Sequence, residues 1–72
     1  MYHMHVKLKD NVDKQQVITK DVFGETVRVS LKKGKAYGVY NKVYENGQEP
    51  MYGLEIRENF VVYLPMDWFE VV

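Results

Sequence analysis

The sequence predicts an all-β protein: one domain, residues 1–72, folded as a small barrel of five or six short strands with a 3₁₀ turn near residues 65–68. Apolar residues recur with a period of two along several segments, the signature of half-buried strands. Glycine- and asparagine-containing turn sequences separate those segments. A chain this short buries only about 60% of its unfolded surface, and closing its strands into a barrel limits the exposed edges.

The elements follow in order. Tyr2, Met4, Val6 and Leu8 alternate with His3, His5, Lys7 and Lys9, which gives a first strand. Asp10 to Gln16 is polar and reads as a loop with room for one helical turn. Val17-Ile18 and Val22-Phe23 are apolar islands in a polar stretch. Val27, Val29 and Leu31 then alternate with Thr26, Arg28 and Ser30 as a second clear strand. Lys32-Lys33-Gly34-Lys35 is a turn in which Gly34 can take a positive φ.

Tyr37, Val39 and Val43 continue as a strand to about Glu45. Asn46-Gly47 is a turn pair, and Met51, Tyr52, Leu54 and Ile56 return from it. A second turn lies near Arg57-Glu58-Asn59-Phe60. Its length sets the register. A two-residue loop would place Leu54 opposite Tyr63, whereas a three-residue loop, Glu58 to Phe60, places Ile56 opposite Val62 and Leu54 opposite Leu64. The second arrangement gathers four aliphatics on one face and is the one expected, with a bulge near Asn59. Pro65 ends the next strand because it cannot donate to the ladder. Val62, Leu64 and Phe69 are expected inward, with Tyr63 and Trp68 outward.

The stretches "VRVSLKKGKAYGV" and "YLPMDWFEV" together resemble the SH3 domain pattern. In that family an apolar strand enters a Lys-Lys-Gly turn. A late aromatic-aliphatic-Pro-x-x-aromatic-aliphatic segment forms the 3₁₀ turn and last strand. Leu31-Lys32-Lys33-Gly34 matches the first feature, and Tyr63-Leu64-Pro65-Met66-Asp67-Trp68-Phe69 the second. The resemblance covers roughly residues 25–72. The short format also resembles SH3-type proteins encoded by phages and prophages of Gram-positive bacteria, mostly of unknown function.

The resemblance places Tyr63, Pro65 and Trp68 at three positions of the family's peptide groove, and Leu64 and Phe69 at core positions. The family's groove tryptophan, just after the turn that corresponds to Asn46-Gly47, has no counterpart here; Met51 or Tyr52 takes its neighbourhood. The Ala-Leu-Tyr-Asp-Tyr signature is also absent. Either Val17 to Asp21 occupies its place, or the first strand is Met4 to Lys9 and residues 10–24 form an enlarged loop. The cleaner alternation of the Met4 strand favours the second assignment. On either, half of the usual proline-peptide groove is missing.

The residue types argue against catalysis. There is no cysteine, and the one serine, Ser30, lies in a strand between Arg28 and Lys32. No zinc-protease, phosphate-loop or glycine-rich motif occurs. His3 and His5 share a strand face, but zinc wants four ligands and no others stand nearby in sequence. The chain is therefore expected to be no enzyme and to carry no metal or cofactor. No apolar run is long enough to span a bilayer, and the expectation is a cytoplasmic protein.

The expected function is non-catalytic binding of another protein through Tyr52, Tyr63, Pro65 and Trp68, as a phage or prophage accessory protein that binds or inhibits a host protein. Exposed Tyr and Trp are common anchors for such contacts. One alternative is a nucleic-acid-binding barrel using Arg28, Lys32, Lys33 and Lys35, with tyrosines as stacking surfaces. Another is a structural protein that self-associates as a homodimer through strand 3–9, should it lie at a sheet edge. Charge is unevenly placed. Residues 1–42 carry nine Lys/Arg and four Asp/Glu (+5), and residues 43–72 carry one Arg and six Asp/Glu (−5).

Overall fold

A computed structural model describes residues 3–72. Among them are seven strands and one 3₁₀ turn: β1 (His5–Leu8), β2 (Gln16–Lys20), β3 (Thr26–Ser30), β4 (Tyr37–Val43), β5 (Met51–Arg57), β6 (Phe60–Pro65), a 3₁₀ turn (Met66–Trp68) and β7 (Phe69–Val71). One sheet has the order β6-β5-β4-β1-β7, and β2 pairs with β3 in a second. Every pairing is antiparallel. An isolated bridge from Asp21 to Val62 joins the small sheet to the edge of the large one. No described helix is long and apolar enough to cross a membrane.

β1 lies inside the large sheet, with Val6 opposite both Tyr37 of β4 and Val71 of β7. The first strand is thus the Met4 segment, and Val17 to Lys20 belongs to the β2–β3 hairpin. Two further consequences follow. β1 lies between β4 and β7, with Val6 paired on both sides, so it is not the sheet edge that strand-to-strand pairing of a second copy needs. Tyr2, placed by its alternation in the same strand, lies outside the described residues.

β2 was not legible as a strand. Its burial alternates with the outward Ile18 among polar residues, so its apolar side chains do not share one face. Pairing with β3, Ile18 opposite Arg28 and Val17 opposite Val29, makes it a strand. The count therefore rises to seven.

The β5–β6 register differs from both arrangements considered. Arg57 pairs with Phe60 across the two residues Glu58-Asn59, and the ladder is irregular between Glu55 and Arg57. Of the turn residues only Asn59 has positive φ, +60°, whereas a regular two-residue type I′ turn needs positive φ at both central residues. Ile56 absorbs the mismatch as an extra residue. Leu54 then faces Val62 and Tyr52 faces Leu64, which returns these side chains to the core.

Val6, Leu8, Leu54, Val62 and Leu64 are fully buried, with Tyr37, Tyr52 and Phe69 around them. At the Lys32–Lys35 turn Gly34 takes φ +82°. The buried Tyr37 hydroxyl accepts a hydrogen bond from the Lys32 backbone N–H at 2.9 Å, fixing the turn to the core. Pro65 closes β6, and the Met66 N–H donates to the Pro50 carbonyl at 3.0 Å.

Candidate binding surface

The surface of interest lies between the β2–β3 hairpin and the loop of residues 44–50. The hairpin is held rigidly at its tip. Asp21 is buried, and its Oδ1 accepts from the Phe23 N–H at 2.9 Å and the Glu25 N–H at 3.0 Å. The Gly24 N–H donates to the Asp21 carbonyl at 3.0 Å, with Gly24 at φ +81°. This is a three-residue hairpin loop in which aspartate ties its own backbone and glycine supplies the left-handed residue. The Val22 N–H donates to the Val61 carbonyl at 3.2 Å, and the Thr19 hydroxyl donates to the Tyr63 carbonyl. The hairpin is thereby stitched to β6.

The sheet face beneath the hairpin is set by register. Val43 pairs with Met51 and Met51 with Pro65; two residues along, on the same face, Asn41 pairs with Gly53 and Gly53 with Tyr63. Gly53 leaves a gap in the second row. A Cβ built there would overlap Asn41 Oδ1 and lie 3.2 Å from Tyr63 Cε1. The Asn41 amide and the Tyr63 ring approach one another over a residue with no side chain. Asn41 Oδ1 is buried and accepts no hydrogen bond.

Beside these rows is a cavity of about 420 Å³ lined by Thr19, Lys20, Val43, Glu45, Gln48, Glu49, Met51 and Tyr63. Its floor, Val43, Met51 and Tyr63, is apolar and half-buried. Glu45 and Glu49 of the 44–50 loop and Lys20 of β2 add charged groups to its lining. Such a cavity can hold an apolar side chain while its rim discriminates charge.

The four residues singled out from sequence separate here. Tyr63 lines the cavity, and Pro65 lies next to Met51 on the adjoining strand. Trp68 is half-buried against the core, with the Lys14 ammonium 5.5 Å from its ring centroid. Tyr52 is not at the surface. It is 8% exposed and meets Phe69 edge-on at 6.3 Å between ring centroids. The register sends Tyr52 to the core and leaves Met51 in the cavity. Sequence reading missed Thr19, Lys20, Val43, Glu45 and Glu49. The Gly53 position, a glycine interrupting a strand, was the one available sign that two backbones' side chains close over it.

The basic set is dispersed. Arg28 is on β3 opposite Ile18, while Lys32, Lys33 and Lys35 are on the turn that follows it. Lys33 Nζ donates to the Asp10 carbonyl at 2.7 Å, and Lys35 Nζ lies 5.3 Å from the Tyr37 ring centroid. His3 and His5 are exposed, and among the described residues no group of three or more metal-ligating side chains gathers. No family model, curated protein or solved structure matches this chain.

Proposed function

We propose that this chain is a non-catalytic protein-binding module with an SH3-like barrel fold, working as a phage or prophage accessory protein that engages a host protein. The fold reading is supported by strand order: a first strand, a long hairpin, the β4–β5–β6 meander, a 3₁₀ turn, and a last strand returning beside the first. The accessory role rests on the short format and the late motif alone.

The observation that carries the binding reading is the apolar-floored cavity between the hairpin and the 44–50 loop, with Tyr63 in its floor and Pro65 beside it. An extended segment of a partner would lay an apolar side chain onto Met51 and Tyr63 and continue over Pro65 toward Trp68. Capture from a lysate of the native host, followed by titration of the captured protein onto isotope-labelled chain, tests this. Shifts should centre on Met51, Tyr63 and Trp68, and a response confined to the opposite face would refute the site. The nucleic-acid alternative has weaker support, because Lys33 and Lys35 turn onto their own chain. Binding to an oligonucleotide that falls steeply with added salt would favour it instead.

A further inference from the structure

Of the asparagines Asn11, Asn41, Asn46 and Asn59, only Asn46 is followed by glycine. The others precede Val12, Lys42 and Phe60, whose side chains crowd the peptide nitrogen that follows the asparagine. Asn46 and Gly47 are both exposed. They are the central residues of a turn closed by the Gln48 N–H, which donates to the Glu45 carbonyl at 3.2 Å. That bond leaves the peptide group between Asn46 and Gly47 unfastened. Among the described residues neither the Gly47 N–H nor the Asn46 carboxamide has a hydrogen-bond partner. Gly47 takes φ +77°, and a Cβ built on it would meet nothing within 4 Å. The Gly47 nitrogen is therefore unhindered, and glycine is the residue whose backbone turns most freely.

This arrangement permits an intramolecular reaction. The Gly47 amide nitrogen gives its proton to hydroxide and attacks Asn46 Cγ. An N–Cγ bond forms, the Cγ–Nδ2 bond breaks, and ammonia leaves, closing a succinimide ring. Nucleophile and electrophile belong to adjacent residues, so the step has the advantage of a unimolecular reaction. Water then opens the ring. Opening at Cγ gives aspartate. Opening at the main-chain carbonyl gives isoaspartate, in which the backbone runs through the side chain. The balance is one water in and one ammonia out, with no oxidant or reductant. The position gives the reaction a consequence. The loop of residues 44–50 carries Glu45 and Glu49 and no basic residue, and Glu45, Gln48 and Glu49 line the cavity with Met51 and Tyr63. A further carboxylate in this loop makes the potential over the cavity more negative. Isoaspartate also lengthens the main chain inside the turn that positions Glu45 and Gln48.

We propose that Asn46 is a self-modification site, converting spontaneously to aspartate and isoaspartate, and that this slow, one-way change leaves the cavity more acidic and differently shaped. The reaction needs only water. It does not rest on the partner-binding reading above, although any ligand of the cavity would meet a different surface on aged protein than on newly made protein.

Incubation of the wild-type chain in mildly alkaline buffer, followed by intact and peptide mass spectrometry, tests the chemistry. Amide should give way to acid at Asn46 at least about tenfold faster than at Asn11, Asn41 or Asn59. The rate should rise with pH, and isoaspartate should be among the products. Gly47→Ala, which crowds the nucleophile, should slow the conversion at least about tenfold. A constant mass, earlier conversion at another asparagine, or aspartate as the sole product would overturn the proposal. Isotope-edited spectra of the same sample follow the cavity. The signals of Glu45, Gln48, Met51 and Tyr63 should move as the converted fraction grows, while those of β1 stay fixed. Conversion that leaves Met51 and Tyr63 unmoved would overturn the effect on the cavity.

Discussion

Asn41 Oδ1 occupies the space that a side chain at Gly53 would fill, with the Tyr63 ring closing on the same point from the other strand. The three positions form one row across β4, β5 and β6. Gly53→Ala should therefore cost about 1–2 kcal/mol, in the range of overpacking. Much of that cost should vanish in an Asn41→Ala background, because the colliding atom is gone. Urea unfolding of the two single variants and the double variant measures the coupling, and additive costs would show that Asn41 simply moves aside.

Asp21 is the buried residue that shapes the hairpin tip. Asp21→Ala removes the acceptor for two backbone N–H groups and should destabilise by about 1–3 kcal/mol. Asp21→Asn keeps an oxygen acceptor and should cost less. Hydrogen exchange at the Phe23 and Glu25 amides is the local readout: faster exchange at both in the alanine variant, with β5 unaffected at low denaturant.

The Tyr37 hydroxyl anchors the lysine turn through the Lys32 N–H. Tyr37→Phe keeps the buried ring and loses this hydrogen bond, so it should cost about 1 kcal/mol. The expected signature is a lower unfolding midpoint at an unchanged denaturant slope. A change below the error of that measurement would mean that water replaces the hydroxyl at the exposed Lys32 backbone.

Tyr52 and Tyr63 stand in neighbouring strands but differ in role. Tyr52→Ala, in the core beside Phe69, should cost about 3–5 kcal/mol and leave so small a domain largely unfolded. Tyr63→Ala should leave the fold intact and reduce partner binding at least about tenfold. Circular dichroism and a binding titration on both variants check this contrast, and unchanged binding by Tyr63→Ala would remove Tyr63 from the surface.

Trp68 belongs between these cases. It packs against the core margin, so Trp68→Ala should stay folded with a stability loss of about 1–2 kcal/mol while losing partner binding. Lys14→Gln removes the cation facing its ring and should change stability by no more than about 1 kcal/mol. A Trp68→Ala variant that binds as well as the wild type would place the contact elsewhere.

The sequence by itself determined the strands whose two-residue alternation is clean, such as β1 and β3, and the turns whose chemistry is local. Gly34 and Gly47 take positive φ where the turn residues require it, and the proline-led 3₁₀ turn falls at Met66–Trp68. These features depend on side chains a few residues apart. The tertiary structure decided what local pattern leaves degenerate. β2 is a strand because β3 pairs with it. The slip at Ile56 chooses which of Met51 and Tyr52 is buried, since one step in register exchanges the two faces. The cavity also belongs to this second class. Thr19 and Tyr63 lie 44 residues apart and meet through the hydrogen bond from the Thr19 hydroxyl to the Tyr63 carbonyl, a contact that no sequence spacing encodes.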